Sequence, residues 1–116
     1  MPQPILRNLK VVGTFFRTPG EKAKLMTRVG HAEPIAVAFA PEPTNSHDEH
    51  AVGVMVQVGD EWVHGGYIPA TVSALFAAWL NSEPAGLAAS CDVGVAKGCP
   101  EITLTVTCEE GTAHHG

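Results

Sequence analysis

Positive charge is scarce in this 116-residue chain, where seven lysines and arginines stand against twelve aspartates and glutamates for a formal net charge of −5. A protein that covers a nucleic-acid duplex needs a broad cationic face to neutralise many phosphates. Six of the seven cations (Arg7, Lys10, Arg17, Lys22, Lys24 and Arg28) fall in residues 1–28 with Glu21 as the one acid among them, whereas Lys97 alone faces eleven acids in the rest. Extended nucleic-acid binding is therefore disfavoured, and the basic segment reads either as a solvated arm or as a local phosphate contact zone. Cysteine is equally sparse: Cys91, Cys99 and Cys108 make an odd number without metal-knuckle spacing, which argues against a disulfide scaffold or a structural zinc site and predicts reduced thiols. No apolar run approaches the ~20 residues that span a bilayer, and Met1-Pro2-Gln3-Pro4 lacks the apolar core of a signal peptide. No membrane association and a cytoplasmic location are the expectations.

What is present fits one domain, long enough for a single core. Twelve glycines and nine prolines among abundant aliphatics indicate a β-rich fold with many turns. Residues 9–16, with β-branched and aromatic types around Gly13, predict a first strand with a bulge or close approach at the glycine. Residues 18–34 read as a mobile connection with a short helical turn around 22–26. Residues 35–40 alternate as a second strand. Valines 52, 54, 56 and 58 repeat at every second position, the period of a half-buried strand, and Gly59-Asp60 turns it into a hairpin returning over 61–68. Pro69 opens a helix whose Val72, Leu75, Phe76, Trp79 and Leu80 form one apolar stripe, with Leu75, Phe76 and Trp79 expected to face inward. Two alternating runs, 87–95 and 102–108, form a last hairpin. A turn centred between Cys99 and Pro100 would pair Val95 with Leu104, Val93 with Val106 and Cys91 with Cys108, keeping apolar opposite apolar. Residues 109–116 form a polar end expected to fray.

The chain is organised around residues 42–58, where a polar loop runs directly into the valine strand. Asn45, Ser46 and Asp48 are residues that bond their own backbone in turns, and a polar loop held at the mouth of a rigid strand is a suitable place for binding. Glu42, Pro43, Asn45, Asp48, Ala51 and Val52, followed by Gly66-Tyr67-Ile68-Pro69 and preceded by Val11-Val12-Gly13 with Arg17, together resemble the signature of the HIRAN domain over about residues 9–108. The resemblance implies a mainly β fold with one principal helix, a small antiparallel OB-like β-barrel of about six strands. It also implies a module that holds the 3′ end of single-stranded DNA, in settings such as repair or fork processing. By that resemblance Asn45 and Asp48 approach the terminal sugar hydroxyl, and His47 falls where an aromatic packs near the terminal nucleotide. A carboxylate accepts from a free hydroxyl and repels a terminal phosphate. Tyr67, the single tyrosine, stands as a stacking ring or a half-buried one with its hydroxyl in water. Arg17 and Phe16 complete the candidate nucleic-acid-binding set, Arg17 against the alternative of a solvated edge residue and Phe16 against that of a core position.

The sequence departs from the DNA-binding pattern at Phe15, His50 and Ala70, and two of these stand where the pattern has a basic residue. His47, Asp48, Glu49, His50 and His64 are of metal-ligating types, but their spacing matches no metalloenzyme motif, and no cofactor or metal is predicted. No Ser-His-Asp order, phosphate loop or spaced carboxylate pair emerges, so no enzyme is predicted. The alternative to an end-binding module is a protein-interaction module using the same groove or a sheet edge, and the third reading is a metal-dependent hydrolase.

Overall fold

A computed structural model describes residues 2–31, 33–82 and 87–109, with side chains at 2–7, 79, 81, 82, 87, 88, 108 and 109 excluded. The elements run β1 (Pro2–Lys10), a 3-10 turn (Thr14–Phe16), α1 (Pro19–Met26), β2 (Ile35–Pro41), β3 (Val52–Val58), β4 (Glu61–Tyr67), α2 (Ala70–Ser82), β5 (Leu87–Ala96) and β6 (Cys99–Glu109). The six strands form one sheet in the order β1-β6-β5-β2-β3-β4, antiparallel at every step. β2 is the corner of the sheet: Ile35 and Ala36 pair with β5, whereas the segment from Val37 to Pro41 pairs with β3.

The sheet curls towards a barrel without closing in a continuous ladder. Among the described residues its two edges meet at the bridge of Val12, just after β1, with Tyr67 of β4, in which Val12 N donates to Tyr67 O at 2.9 Å and Tyr67 N to Val12 O at 2.8 Å. Two adjacent glycines of β4 permit this approach. The β3–β4 register shifts between Val54 and Met55, leaving Gly65 as the extra residue of a bulge. A Cβ on Gly65 would stand 2.5 Å from Ile102 Cδ1, and one on Gly66, at φ +135°, would collide with Val12 O. Thr14 then fastens the crossing segment by donating its buried hydroxyl to Gly65 O at 2.6 Å. Valines 52, 54 and 56, with Leu25, Ile35, Ile102, Leu104, Val106 and Phe76, are buried inside the curl.

Several expectations are corrected. The first strand ends at Lys10, because Gly13 takes φ 79° and turns the chain into the 3-10 segment, a conformation no strand accommodates. Residues 18–26 are a capped helix and not a loose connection. Thr18 accepts from Glu21 N while the Glu21 carboxylate accepts from Thr18 N, a capping box readable as Thr-x-x-Glu. In α2, Phe76 is buried against Phe39 with ring centroids 5.2 Å apart, but Leu75 is 47% exposed. The expectation for Trp79 concerns a side chain outside the described residues.

The β5–β6 turn is centred on Lys97-Gly98, pairing Ala96 with Cys99, Val95 with Pro100, Val93 with Ile102 and Cys91 with Leu104. Cys91 and Cys108 are thus not direct neighbours, since Cys108 pairs with Leu87. Lys97 and Gly98 take φ 54° and 75°, the double positive φ of a two-residue hairpin turn, which proline at 100 could not adopt. The register differs from the expected one by an even step, so the apolar faces still coincide. Cys91 and Cys99 are free thiols, and burial is the main reason that the Cys91 thiol is pushed up to about 12.

Candidate nucleic-acid interface

The loop between β2 and β3 is folded by its own side chains. Asn45 Oδ1 accepts from the backbone N of His47 at 2.8 Å and of Asp48 at 3.2 Å, and Asp48 Oδ1 accepts from His50 N at 2.8 Å. The other Asp48 oxygen accepts from the Ser73 hydroxyl of α2 at 2.8 Å, which ties the loop to the helix. These bonds, the one from His50 N first and Ser73 next, hold the Asp48 carboxyl below its ordinary pKa, as hydrogen bonds to an anion do. Asp48 is therefore the charged acceptor of the loop at neutral pH.

Beneath the loop Glu42 acts as a hub. It accepts from Asn45 Nδ2 at 3.1 Å and from the Tyr67 hydroxyl at 3.1 and 3.3 Å, and its Oε2 lies 3.8 Å from His64 Nε2. Burial, followed by the hydrogen bond and charge of Glu42, raises the Tyr67 pKa, while Arg17 acts in the opposite sense. His64 Nδ1 accepts from Gly66 N at 3.2 Å, so the ring proton is assigned to Nε2. That atom is buried without a hydrogen-bond partner. Burial and then Arg17 lower the His64 pKa against the pull of Glu42 and Glu21.

Asn45, His47 and Asp48 from the loop, Tyr67 and Ile68 at the end of β4, Ala70 at the start of α2, and Val12 and Ala51 line one open cavity of about 240 Å³. Strand order explains the convergence: β3 and β4 are neighbours, and the Val12 bridge brings the opposite end of the sheet to Tyr67. Of the six candidate residues, Asn45, His47, Asp48 and Tyr67 share this cavity. Arg17 does not line it, and its Nε lies 3.5 Å from Glu21 Oε1. Phe16 also lies outside it, 81% exposed and edge-on to Phe15 at 5.5 Å between centroids. The roles of Glu42, Ser73 and His64 were not read from the sequence. Glu42 stood in the motif without an assigned partner, and nothing local signals the contact from Ser73. Among the described residues no three His, Cys, Asp or Glu side chains are grouped to hold a metal ion.

One curled antiparallel sheet of six strands with two helices, and a concavity beside the loop between β2 and β3, has the architecture of the small OB-like modules. Within that class the fold is HIRAN-like. The HIRAN domain of human HLTF is similar with a TM-score of 0.59 at 19% sequence identity, over 91% of this chain and 77% of that one. No family model matches the sequence, and no curated protein is similar to it at a significant level. Among the described residues no helix is long and apolar enough to cross a membrane.

Proposed function

We propose that this chain is a nucleic-acid-binding module that takes the 3′ end of single-stranded DNA into the cavity between the 42–51 loop and Tyr67. The observation that carries the reading is the meeting of Asn45, His47, Asp48 and Tyr67 around one hollow on a HIRAN-like fold. At about 240 Å³ the hollow is smaller than the ~300 Å³ at which small-molecule pockets usually begin, room for a terminal nucleotide and not for a run of them. Each Asp48 oxygen already accepts one bond and retains a lone pair, so the carboxylate can accept from a terminal hydroxyl without breaking the loop. A terminal phosphate would bring a dianion against the same charge. His47 and Tyr67 supply flat sides for the sugar and base. Free 3′ ends arise at breaks and stalled forks, which would place the module in repair or fork processing.

Fluorescence anisotropy with oligonucleotides differing only at the 3′ terminus tests this. The hydroxyl form should bind about tenfold more tightly than the phosphate form, a difference of ~1.4 kcal/mol, and Asp48→Asn should narrow the gap. Equal affinity for both ends in the parent protein would overturn end recognition.

A further inference from the structure

The polar groups behind the end cavity meet at one imidazole. His64 of β4 is half-buried, with its ring centroid 5.0 Å from that of Tyr67, whose side the cavity uses as a wall. Its Nδ1 accepts from the backbone N of Gly66 at 3.2 Å. Its Nε2 is buried without a hydrogen-bond partner and lies 3.8 Å from Glu42 Oε2. The same Glu42 carboxylate accepts from the Tyr67 hydroxyl at 3.1 and 3.3 Å and from Asn45 Nδ2 at 3.1 Å. One nitrogen of the ring thus supports the bulge that carries Tyr67, and the other faces the group that holds Tyr67 and the loop together.

Both relations depend on the charge of the ring. A neutral imidazole can accept at Nδ1, whereas an imidazolium has a donor at each nitrogen. A proton added at Nδ1 therefore sets a donor against the Gly66 N–H and ends that bond, next to the residue that bridges to Val12. At Nε2 the new positive charge draws the Glu42 carboxylate across the 3.8 Å gap, away from the Tyr67 hydroxyl and Asn45. The charged and titratable groups that face the ring are Glu42 from the loop after β2, Tyr67 from β4 itself, and Arg17 and Glu21 from the entry to α1. The β3 residue opposite is Met55, which carries no charge. Arg17 opposes a protonated ring and the two glutamates favour it, while burial, the largest influence, keeps the ring neutral to a pH below its ordinary value of 6.5.

We propose that His64 is a proton-operated latch on the end cavity. Neutral, it supports the Gly66 bulge and leaves Glu42 to Tyr67 and Asn45; protonated, it drops the first contact and withdraws the second, so that a strand end is held at neutral pH and released in acid. His64 is a positioning residue that touches no ligand. The inference rests on the end-binding reading and adds regulation to that site. Because the binding form lacks the extra proton, affinity is full above the folded pKa of His64 and falls as pH drops through it.

Two measurements test the latch. Without DNA, heteronuclear NMR from about pH 7.5 to about pH 5 should show the His64 ring, the Gly66 amide and the Tyr67 ring changing at one common midpoint below about pH 6.5. A His64 that titrates while Gly66 and Tyr67 stay unmoved, or that remains neutral throughout, would overturn the latch. With DNA, affinity for an oligothymidylate with a free 3′ hydroxyl, whose bases do not titrate in this range, should fall about tenfold over the same interval, the effect of one unit of pKa difference between bound and free protein. Asp48 stays charged throughout, since its carboxyl is held below its ordinary value. His64→Gln should flatten the fall, and His47→Phe, which replaces the imidazole that lines the cavity itself, should retain it. A fall that persists in His64→Gln, or vanishes in His47→Phe, would overturn the latch and leave the end cavity standing. Absence of binding at every pH would refute the end-binding reading, and the ring and amide titrations would then decide the latch by themselves.

Discussion

Glu42 and His64 show how much of this site depends on side chains that no ligand need touch. Glu42 joins the loop through Asn45 to β4 through Tyr67, and His64 lies behind them with its Nε2 buried. Gly53 makes the arrangement possible, since a Cβ there would stand 3.3 Å from His64 Nε2 and 3.4 Å from Glu42 Oε2. Burial depresses the His64 pKa below its ordinary value of 6.5. The unfolded chain therefore binds a proton more readily than the folded one in the window below about pH 6.5. Its contribution to stability is complete above that window and declines as pH falls towards the lower folded value. Urea midpoints should accordingly drop more between about pH 7 and pH 5 for the parent protein than for His64→Gln. Parallel pH dependences in the two proteins would show that His64 carries no such linkage.

At the scale of elements, β4 is the strand whose irregularity makes the site. Its Gly65–Gly66 bulge admits the 11–14 segment, the Thr14 hydroxyl bond and the Val12 bridge. Gly65→Ala is expected to destabilise the fold by ~1–3 kcal/mol through overpacking against Ile102 and Val56. Chemical denaturation would measure it, and a change below about 0.5 kcal/mol would show that the bulge is not needed for closure. Much of the element pattern was legible in the sequence. The valines of β3 and the Lys-Gly-Cys-Pro region announced two hairpins, and the motif located the loop. The capping box at Thr18 and Glu21 is present in the sequence as Thr-x-x-Glu, but Pro19-Gly20 within it carries the composition of a loop and points to a connection instead. The β5–β6 register was misplaced by an even step, because alternation constrains the face while the turn residues set the pairing.

For the whole molecule, the uneven charge of the sequence resolves into ion pairs that span the fold. Lys10 meets Glu101 at 2.9 Å and Lys24 meets Glu61 at 2.8 Å, so cations from the first quarter of the chain are engaged with acids from later strands. No continuous cationic track results among the described residues. Single-strand binding releases roughly 0.7 counterion per neutralised phosphate. For an end-centred contact that neutralises one or two phosphates, the slope of log affinity against log salt should be about −1.5 or shallower. A titration between about 50 and 200 mM salt would test this, and a slope steeper than about −3 would indicate a phosphate track and overturn an end-centred interaction.

Local sequence determined the strands' inward faces, the Gly59-Asp60 turn, the start of α2 and the self-bonded loop at Asn45 and Asp48, because side-chain period and turn chemistry operate within a few residues. Only the tertiary structure decided that Val12, Asn45, Tyr67 and Ala70 would surround one cavity, and that Glu42 and Ser73 would reach Tyr67 and Asp48 from 25 residues away. Those contacts follow from strand order, from a β4 bulge and from the backbone bridge that joins Val12, just after β1, to Tyr67 of β4. Each is a long-range pairing whose favourable contacts exist only after the intervening chain has been closed into the sheet, and no short stretch of residues encodes it.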